Sequence, residues 1–537
     1  MRKLISLLAC VLISVLAFAE PKTIYVDQNV KVPGDGTSWK TAVKTIQEGV
    51  NKASETEVDT VLVAPGEYAD DLGDYGADKF CYRVKLDRKV ILKSSEGKEV
   101  THIVGRRGNG SGGAVAGLPP VTCVYIPAAG RGSIVEGFTI RDGETSSGIG
   151  SANRSAGVGD PTMTGNSNYS SNKNPDAFWY VAYCTISNCC AARGSAVSGG
   201  TLIGTVITDN ASYENNIVAT TYVHAYNCVF SRNATNTKMG AQAYVLVNCM
   251  VVNDGSQRGM TGVSASDGGS RFYNSAIFNE WSSSSGDWQT PLCSYCLVDC
   301  DAKGDAFVHA DSDHVMTIPT TDTYTNLVMS VFTGDWRPVE NGRLDGKGNK
   351  DALDLSFIPA AYAKRDFDGK QLADDAQIPI GVILPSAKPA TAGLILSSVG
   401  MKINGRTISR AKHVHYADEW PSVVNFSAAD GEEDLFVGIN VPAYASEVAY
   451  GKCRGKYTTV ALTLPPCEDA DGNVLPTMTV TKLSAKAEHV IWVDDDASFE
   501  GSPDGSFGKP YRTLQDAVDA AEAVEDRPLH LINVREG

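Results

Sequence analysis

The feature that most constrains this chain is a short strand-like signal that recurs at near-regular intervals. One copy is Val135-Glu136-Gly137-Phe138-Thr139-Ile140. It returns as Tyr183-Cys184-Thr185-Ile186-Ser187-Asn188, Gly204-Thr205-Val206-Ile207-Thr208-Asp209-Asn210 and Asn227-Cys228-Val229-Phe230-Ser231-Arg232-Asn233. Three more follow: Asn248-Cys249-Met250-Val251-Val252-Asn253-Asp254, Asn274-Ser275-Ala276-Ile277-Phe278-Asn279-Glu280 and Tyr295-Cys296-Leu297-Val298-Asp299. Aligned on Phe138, Cys184, Thr205, Cys228, Cys249, Ser275 and Cys296, the copies lie 46, 21, 23, 21, 26 and 21 residues apart. The first step holds two coils and an insertion; each later step holds one coil. One short strand per such period predicts a solenoid whose repeats contact their neighbours.

Strand side chains alternate between faces. Cys184, Cys228, Cys249 and Cys296 therefore turn inward with Ile186, Phe230, Val251 and Val298, and Thr205 and Ser275, close in volume, share their column. Stacked coils pile these small side chains into one internal ladder, which makes the cysteines buried thiols rather than a disulfide framework. Of thirteen cysteines, Cys453 and Cys467 are the pair best placed for a bridge, flanking a strand-like run.

The solenoid has recognisable ends. Ile24-Tyr25-Val26-Asp27 predicts a strand and Gly34-Asp35-Gly36-Thr37-Ser38-Trp39 a turn. From Thr41 to Ala53, apolar residues at 42, 43, 46, 50 and 53 have helical spacing. Thr60-Val61-Leu62-Val63-Ala64-Pro65-Gly66-Glu67-Tyr68 predicts a buried strand ended by a Pro-Gly turn. This series resembles the N-terminal cap of the pectate lyase-like right-handed parallel β-helix superfamily. In that fold a helix laid over the open end removes apolar surface from water and blocks edge pairing. Gly334-Asp335-Trp336-Arg337-Pro338, Asp366-Phe367-Asp368-Gly369-Lys370 and Ile378-Pro379-Ile380-Gly381 resemble the closing segment of bacterial secreted and surface β-helix proteins. The usual Ser-Pro-Ala-Ile-Asp element between them is missing.

Beyond that segment the period disappears. Strand-like runs Val423 to Ser427, Leu435 to Val441, Thr458 to Leu464 and Thr477 to Leu483 predict a small β-sandwich. The cap pattern then returns: Ile491-Trp492-Val493-Asp494 matches Ile24 to Asp27, and Tyr511 to Val518 matches Val43 to Val50. The predicted organisation is a leader at 1–19, a β-helix at 20–387, a sandwich-like domain at 388–487 and the cap of a second β-helix at 488–537. A capping helix without coils beneath it leaves its apolar face uncovered, so a longer protein with at least two β-helices is expected.

Arg2 and Lys3, the apolar run Leu4 to Leu16 and Ala17-Phe18-Ala19 read as a secretory signal, which puts the protein outside the cell or at its surface. Leu7-Leu8-Ala9-Cys10 also has the form of a lipoprotein acylation box. No later run has the ~18 apolar residues that span a bilayer. The net charge is −16 and no basic stripe is present, so nucleic acid is not an expected partner.

The resemblance implies no single reaction, because this fold serves lyases, hydrolases, esterases and adhesins. A lyase needs a cationic base and cationic or Ca²⁺ neutralisation of a uronate; Arg193, Arg232, Lys238, Arg258 and Arg271 fall at different register positions. No motif requires a cofactor, and Ca²⁺ stays open. A retaining hydrolase needs carboxyl groups ~5–5.5 Å apart. Asp254 and Glu280, with Asp299 beyond them, follow their strands in neighbouring coils at that order of spacing, as catalytic candidates. Asn188, Asn210, Asn233, Asn253 and Asn279 share the corner and offer a plainer explanation, an amide ladder satisfying turn backbone groups. His309, Asp311, Asp313 and His314 gather four potential metal ligands in six residues, in no standard spacing. Two readings follow. One is an adhesin-like or glycan-binding scaffold whose partner is an extracellular polysaccharide or cell-surface glycan. The other is a carbohydrate-active hydrolase or lyase.

Overall fold

The computed structural model describes residues 20–388 apart from 70–79, 110–113, 116–117, 146–154, 161–178, 193, 213–216, 232, 234–238, 253–260, 266–269, 279–291, 301–310, 320–326, 331–334 and 353–354. Beyond 388 it describes strand segments up to 489, then residues 490–495, 501–506, 509–522 and 531–534. The expected leader and the Cys453/Cys467 pair lie outside the described residues. The chain forms two compact units. One takes in residues up to Cys228 with Ala241–Tyr244 and Asp354–Ala363; the other holds the rest.

The first unit is a parallel β-helix solenoid. After the opening strand, each coil gives one short strand to each of three stacks, the first and third of which join into one sheet through Ile217–Tyr226, and every strand pairing described between coils is parallel. The first sheet stacks Thr23–Val26, Asp59–Val63, Val90–Ser94, Ile134–Glu136, Tyr180–Ala182 and Thr201–Ile203. The second stacks Gly66–Tyr68, Thr101–Val104, Thr139–Arg141, Thr185–Ser187 and Val206–Thr208. The third stacks Cys81–Lys85, Val121–Tyr125, Val158–Gly159 and Val197–Ser198. The longer strand Ile217–Tyr226 runs through a corner, pairing Thr220 with Val197 of the third sheet and Ala225 with Leu202 of the first.

Register explains the core. In the first sheet Val61, Leu92, Val135, Val181, Leu202 and Ala225 lie in one column. In the second, Ile103, Ile140, Ile186 and Ile207 do the same. In the third the column is Val84, Val124, Val158 and Val197. All are buried. Branched aliphatic side chains suit these stacks because each packs on its own likeness one coil away. The open end carries the expected helix, Ile46–Lys52, started by a capping box between Thr45 and Glu48. It buries Ile46, Gly49 and Val50.

The predicted rungs are present within each unit, Cys184, Thr205 and Cys228 in the first and Cys249, Ser275 and Cys296 in the second, and their chemistry is visible. Cys184, Thr205, Cys228, Cys249, Ser275 and Cys296 are all buried, and the cysteines are free thiols. Each side chain donates to the carbonyl two residues back: Cys184 to Ala182, Thr205 to Ile203, Cys228 to Tyr226, Cys249 to Val247, Ser275 to Tyr273 and Cys296 to Ser294. The backbone N–H of Cys184 donates to Thr205 Oγ1, and that of Cys249 to Ser275 Oγ. The column therefore satisfies corner backbone groups that the sheets cannot reach. Burial pushes the Cys184 thiol up to about 12, which keeps it protonated and inert.

The residue before each rung takes left-handed backbone: Gly137, Tyr183, Gly204, Asn227, Asn248, Asn274, Tyr295 and His314. Glycine and asparagine accept this conformation at little cost. Tyrosine does so less readily, so the corner holds Tyr183 and Tyr295 there.

In the second unit Val229–Ser231, Met250–Val252, Ala276–Phe278, Leu297–Cys300 and Met316–Pro319 continue the parallel pattern, with Phe230, Val251, Ile277 and Val298 in register. The corner amides meet the closing segment. Asn248 Nδ2 donates to the carbonyls of Pro379 and Gly381, both at 3.0 Å, and Asn274 Oδ1 accepts from Asn349 N at 2.8 Å. Strands between Gly393 and Val480 form one four-stranded and one five-stranded antiparallel sheet. Last come the parallel pair Val490–Val493 and Leu531–Val534 and the helix Leu514–Glu522. No helix among the described residues is long and apolar enough to cross a membrane.

Candidate functional site

The outward face of the second sheet in the first unit gathers the polar side chains that the inward ladders exclude. Alternation turns Ile140 and Ile186 inward and leaves Thr139, Arg141, Thr185 and Ser187 partly exposed beside them. Two outward columns result. Glu67, His102, Thr139 and Thr185 are in register, as are Arg141, Ser187 and Thr208. Parallel coils repeat these columns about every 4.8 Å.

Arg141 organises the near end of this face. One guanidinium nitrogen lies 2.8 Å from Glu67 Oε2, and another pairs with Asp142. Asp142 in turn accepts from the Asn188 amide. Arg107 Nη1 donates to the carbonyl of Asn188 at 3.3 Å, and its Nε lies 3.6 Å from the carboxylate of Glu144. The Glu144 side chain is fully buried and also accepts from Gly108 N at 2.9 Å. The carboxylates of Glu67, Asp142 and Glu144 each face a guanidinium. The arrangement suits hydrogen bonding to a polyhydroxylated chain laid across the coils.

The corner after this sheet is two columns rather than the one expected. Asp142, Asn188 and Asp209 occupy left-handed backbone, and the next residue in each coil turns inward. Asn210 is buried there; its Oδ1 accepts from Cys189 N at 3.0 Å and its Nδ2 donates to the carbonyls of Ile186 and Thr208. Asn210 thus serves turn backbone groups as an amide ladder would, while Asn188 belongs to the outer column.

Asp254 and Glu280 lie outside the described residues. In sequence they stand two residues beyond Val252 and Phe278, the offset that carries Asn210 after Thr208. Asp299 lies on the strand Leu297–Cys300, with Ile318 as its register partner. Of the four potential metal ligands, His309 lies outside the described residues. Asp311, Asp313 and His314 are exposed. Asp313 Oδ2 is 3.2 Å from His314 Nδ1, and the His314 ring stacks on Tyr295 at 4.3 Å. A hydrogen bond from Ser294, with one from His314, holds the Asp313 carboxyl below its usual range. Among the described residues no group of three or more His, Cys, Asp or Glu is placed to hold a metal ion. The place of His314 in the corner column accounts for its backbone and its stacking.

Sequence reading passed over Glu67, Arg107, Arg141 and Glu144 as parts of one network, because they come from three coils. Alternation alone carried a signal: Glu67, His102 and Thr139 each stand one residue before a buried residue, Tyr68, Ile103 and Ile140.

The fold defines the class, a parallel β-helix solenoid protein. No protein-family model matches the sequence, and no curated protein matches it either.

Proposed function

We propose that this is a secreted or cell-surface solenoid that binds extracellular polysaccharide or cell-surface glycan without turning it over. The outward face of the second sheet carries this reading. Its hydroxyl groups, on Thr139, Thr185, Ser187 and Thr208, recur from coil to coil beside the imidazole of His102 and the guanidinium of Arg141, as the hydroxyls of an extended glycan repeat sugar by sugar. The carboxylates described there are engaged by Arg141 and Arg107, which suits positioning better than proton transfer.

The test is incubation of the folded protein with a panel of acidic and neutral polysaccharides, scoring bound glycan, new reducing ends and unsaturated uronates. Binding without new ends, weakened about tenfold by Arg141→Ala, is the expected result; loss of one good charge-assisted contact has that size. Absence of binding across the panel overturns the proposal. Turnover abolished by Glu280→Gln overturns it in favour of a carbohydrate-active enzyme.

A further inference from the structure

Two cysteines of the first unit stand apart from the internal ladder and meet each other. Cys123 belongs to the third sheet and Cys189 to the corner after the second. The Cys123 sulfur is 3.3 Å from the carbonyl of Arg141, and the Cys189 sulfur 3.4 Å from that of Ser187. Arg141 and Ser187 are register partners on adjacent strands, so their carbonyls are one coil spacing apart, about 4.8 Å. The two thiols, each held to one of these carbonyls, are thereby brought to neighbouring positions along the stack.

A glycine makes the meeting possible. Glu144 pairs with Cys190, which puts Gly143 in register with Cys189, one coil away. A Cβ on Gly143 would stand 3.0 Å from the Cys123 sulfur. The Ala156 carbonyl oxygen, 2.2 Å from that Cβ position, closes the same space, so the absence of a side chain at Gly143 leaves the Cys123 sulfur next to the backbone one coil from Cys189.

We propose that Cys123 and Cys189 are a disulfide site, closed during folding by thiol–disulfide exchange with a small-molecule disulfide. The thiolate of one cysteine attacks the donor, forming a mixed disulfide and releasing one donor thiol. The thiolate of the other attacks the cysteine sulfur of that mixed disulfide, forming the Cys123–Cys189 bond and releasing the second donor thiol. Two electrons pass to the donor, and the two protons end on the released thiols. Both cysteines are buried in the folded unit, where exchange is slow. The bond therefore closes before the coils seal over it.

The full chain is unfolded, then refolded in a mixture of reduced and oxidised glutathione or in excess dithiothreitol. Each sample is alkylated under denaturing conditions and peptide-mapped. From the glutathione sample the Cys123 and Cys189 peptides are expected as one linked species, with Cys184, Cys228, Cys249 and Cys296 alkylated. That sample is also expected to melt several degrees above the reduced one, because the link closes a long loop. The C123S variant is expected to lose this difference. Cys123 and Cys189 both recovered alkylated from folded, glutathione-treated protein overturn the proposal. So does a link from either one to neighbouring Cys190.

Discussion

The two caps of this chain are built on one plan and differ in how deeply their helices are buried. In the first, Tyr25 N donates to Gly36 O, Asp27 N to Val43 O and Val43 N back to Tyr25 O. In the second, Trp492 N donates to Gly505 O, Asp494 N to Tyr511 O and Tyr511 N back to Trp492 O. Both flanking strand pairs are parallel, and both helices start at a threonine whose hydroxyl accepts a backbone N–H three residues on. The burial differs. Ile46 is 1% exposed, whereas Leu514 at the same helix position is 55% exposed. Gln47 exchanges hydrogen bonds with the backbone of Lys85, in the third sheet, and also donates to Asn51. Among the described residues Gln515 makes the intrahelical bond alone, to Asp519 at 2.7 Å. The cap sequence thus encodes a shape, and the coils beneath the first helix turn that shape into stability.

The comparison breaks most readily at the buried stripe. Ile46→Ala is expected to cost about 2–5 kcal/mol, the range for deleting a buried aliphatic side chain. Leu514→Ala, at an exposed site, should stay within about 0.5 kcal/mol. Denaturant unfolding of the full chain measures both, and equal losses would mean that both helices are equally covered.

Gly49 and Ala517 sharpen the contrast. A Cβ at Gly49 would stand 2.7 Å from Val26 Cγ2 and 2.8 Å from Val61 Cγ1. Gly49→Ala should therefore destabilise by roughly 1–3 kcal/mol through overpacking, although alanine is the better helix former by about 1 kcal/mol. Ala517, also buried, already carries that Cβ, and Ala517→Gly should cost about 1 kcal/mol. A stabilising Gly49→Ala would show that the first helix is looser than its contacts imply.

Gln47→Ala comes next. Losing two backbone hydrogen bonds at a partly buried site costs about 1–3 kcal/mol. Gln515→Ala loses one exposed bond and should cost at most about 0.5 kcal/mol.

What could be read from the sequence follows the same line. The ladder was legible because each rung recurs with its own strand, so Cys184, Thr205 and Ser275 announced one column before any coordinate. The caps were legible because their hydrogen bonds are local. The Arg141 network was not, because Glu67, Arg141 and Asn188 meet only through coil stacking, across intervals that insertions make unequal. The corner was half legible: asparagines marked it, but a one-residue offset decides whether an amide faces out, as Asn188 does, or in, as Asn210 does. Periodicity locates a turn more easily than it tells which side of the turn a residue takes.

The smallest expected effect separates the caps by their turn chemistry. Asp35 accepts from both the N–H and the hydroxyl of Thr37, and its carboxyl is held down at about 2, chiefly by the backbone bond. Asp504 is also lowered, chiefly by the hydroxyl of Ser506 and then by its N–H. A carboxyl whose folded value lies below its unfolded value of about 4 stabilises the fold fully above that unfolded value. The contribution is lost as pH falls through the folded value, near 2 for Asp35. Both turns are exposed, so the readout is titration rather than global unfolding. Carboxyl NMR of aspartate-labelled protein should show Asp35 still depressed in Thr37→Ala, because the backbone donor survives. In Ser506→Ala, Asp504 loses its chief donor and should move back toward the ordinary value, while its backbone bond to residue 506 survives. The reverse outcome would mean that the two turns exchange their roles, and that the second cap copies the fold of the first without its hydrogen-bond hierarchy.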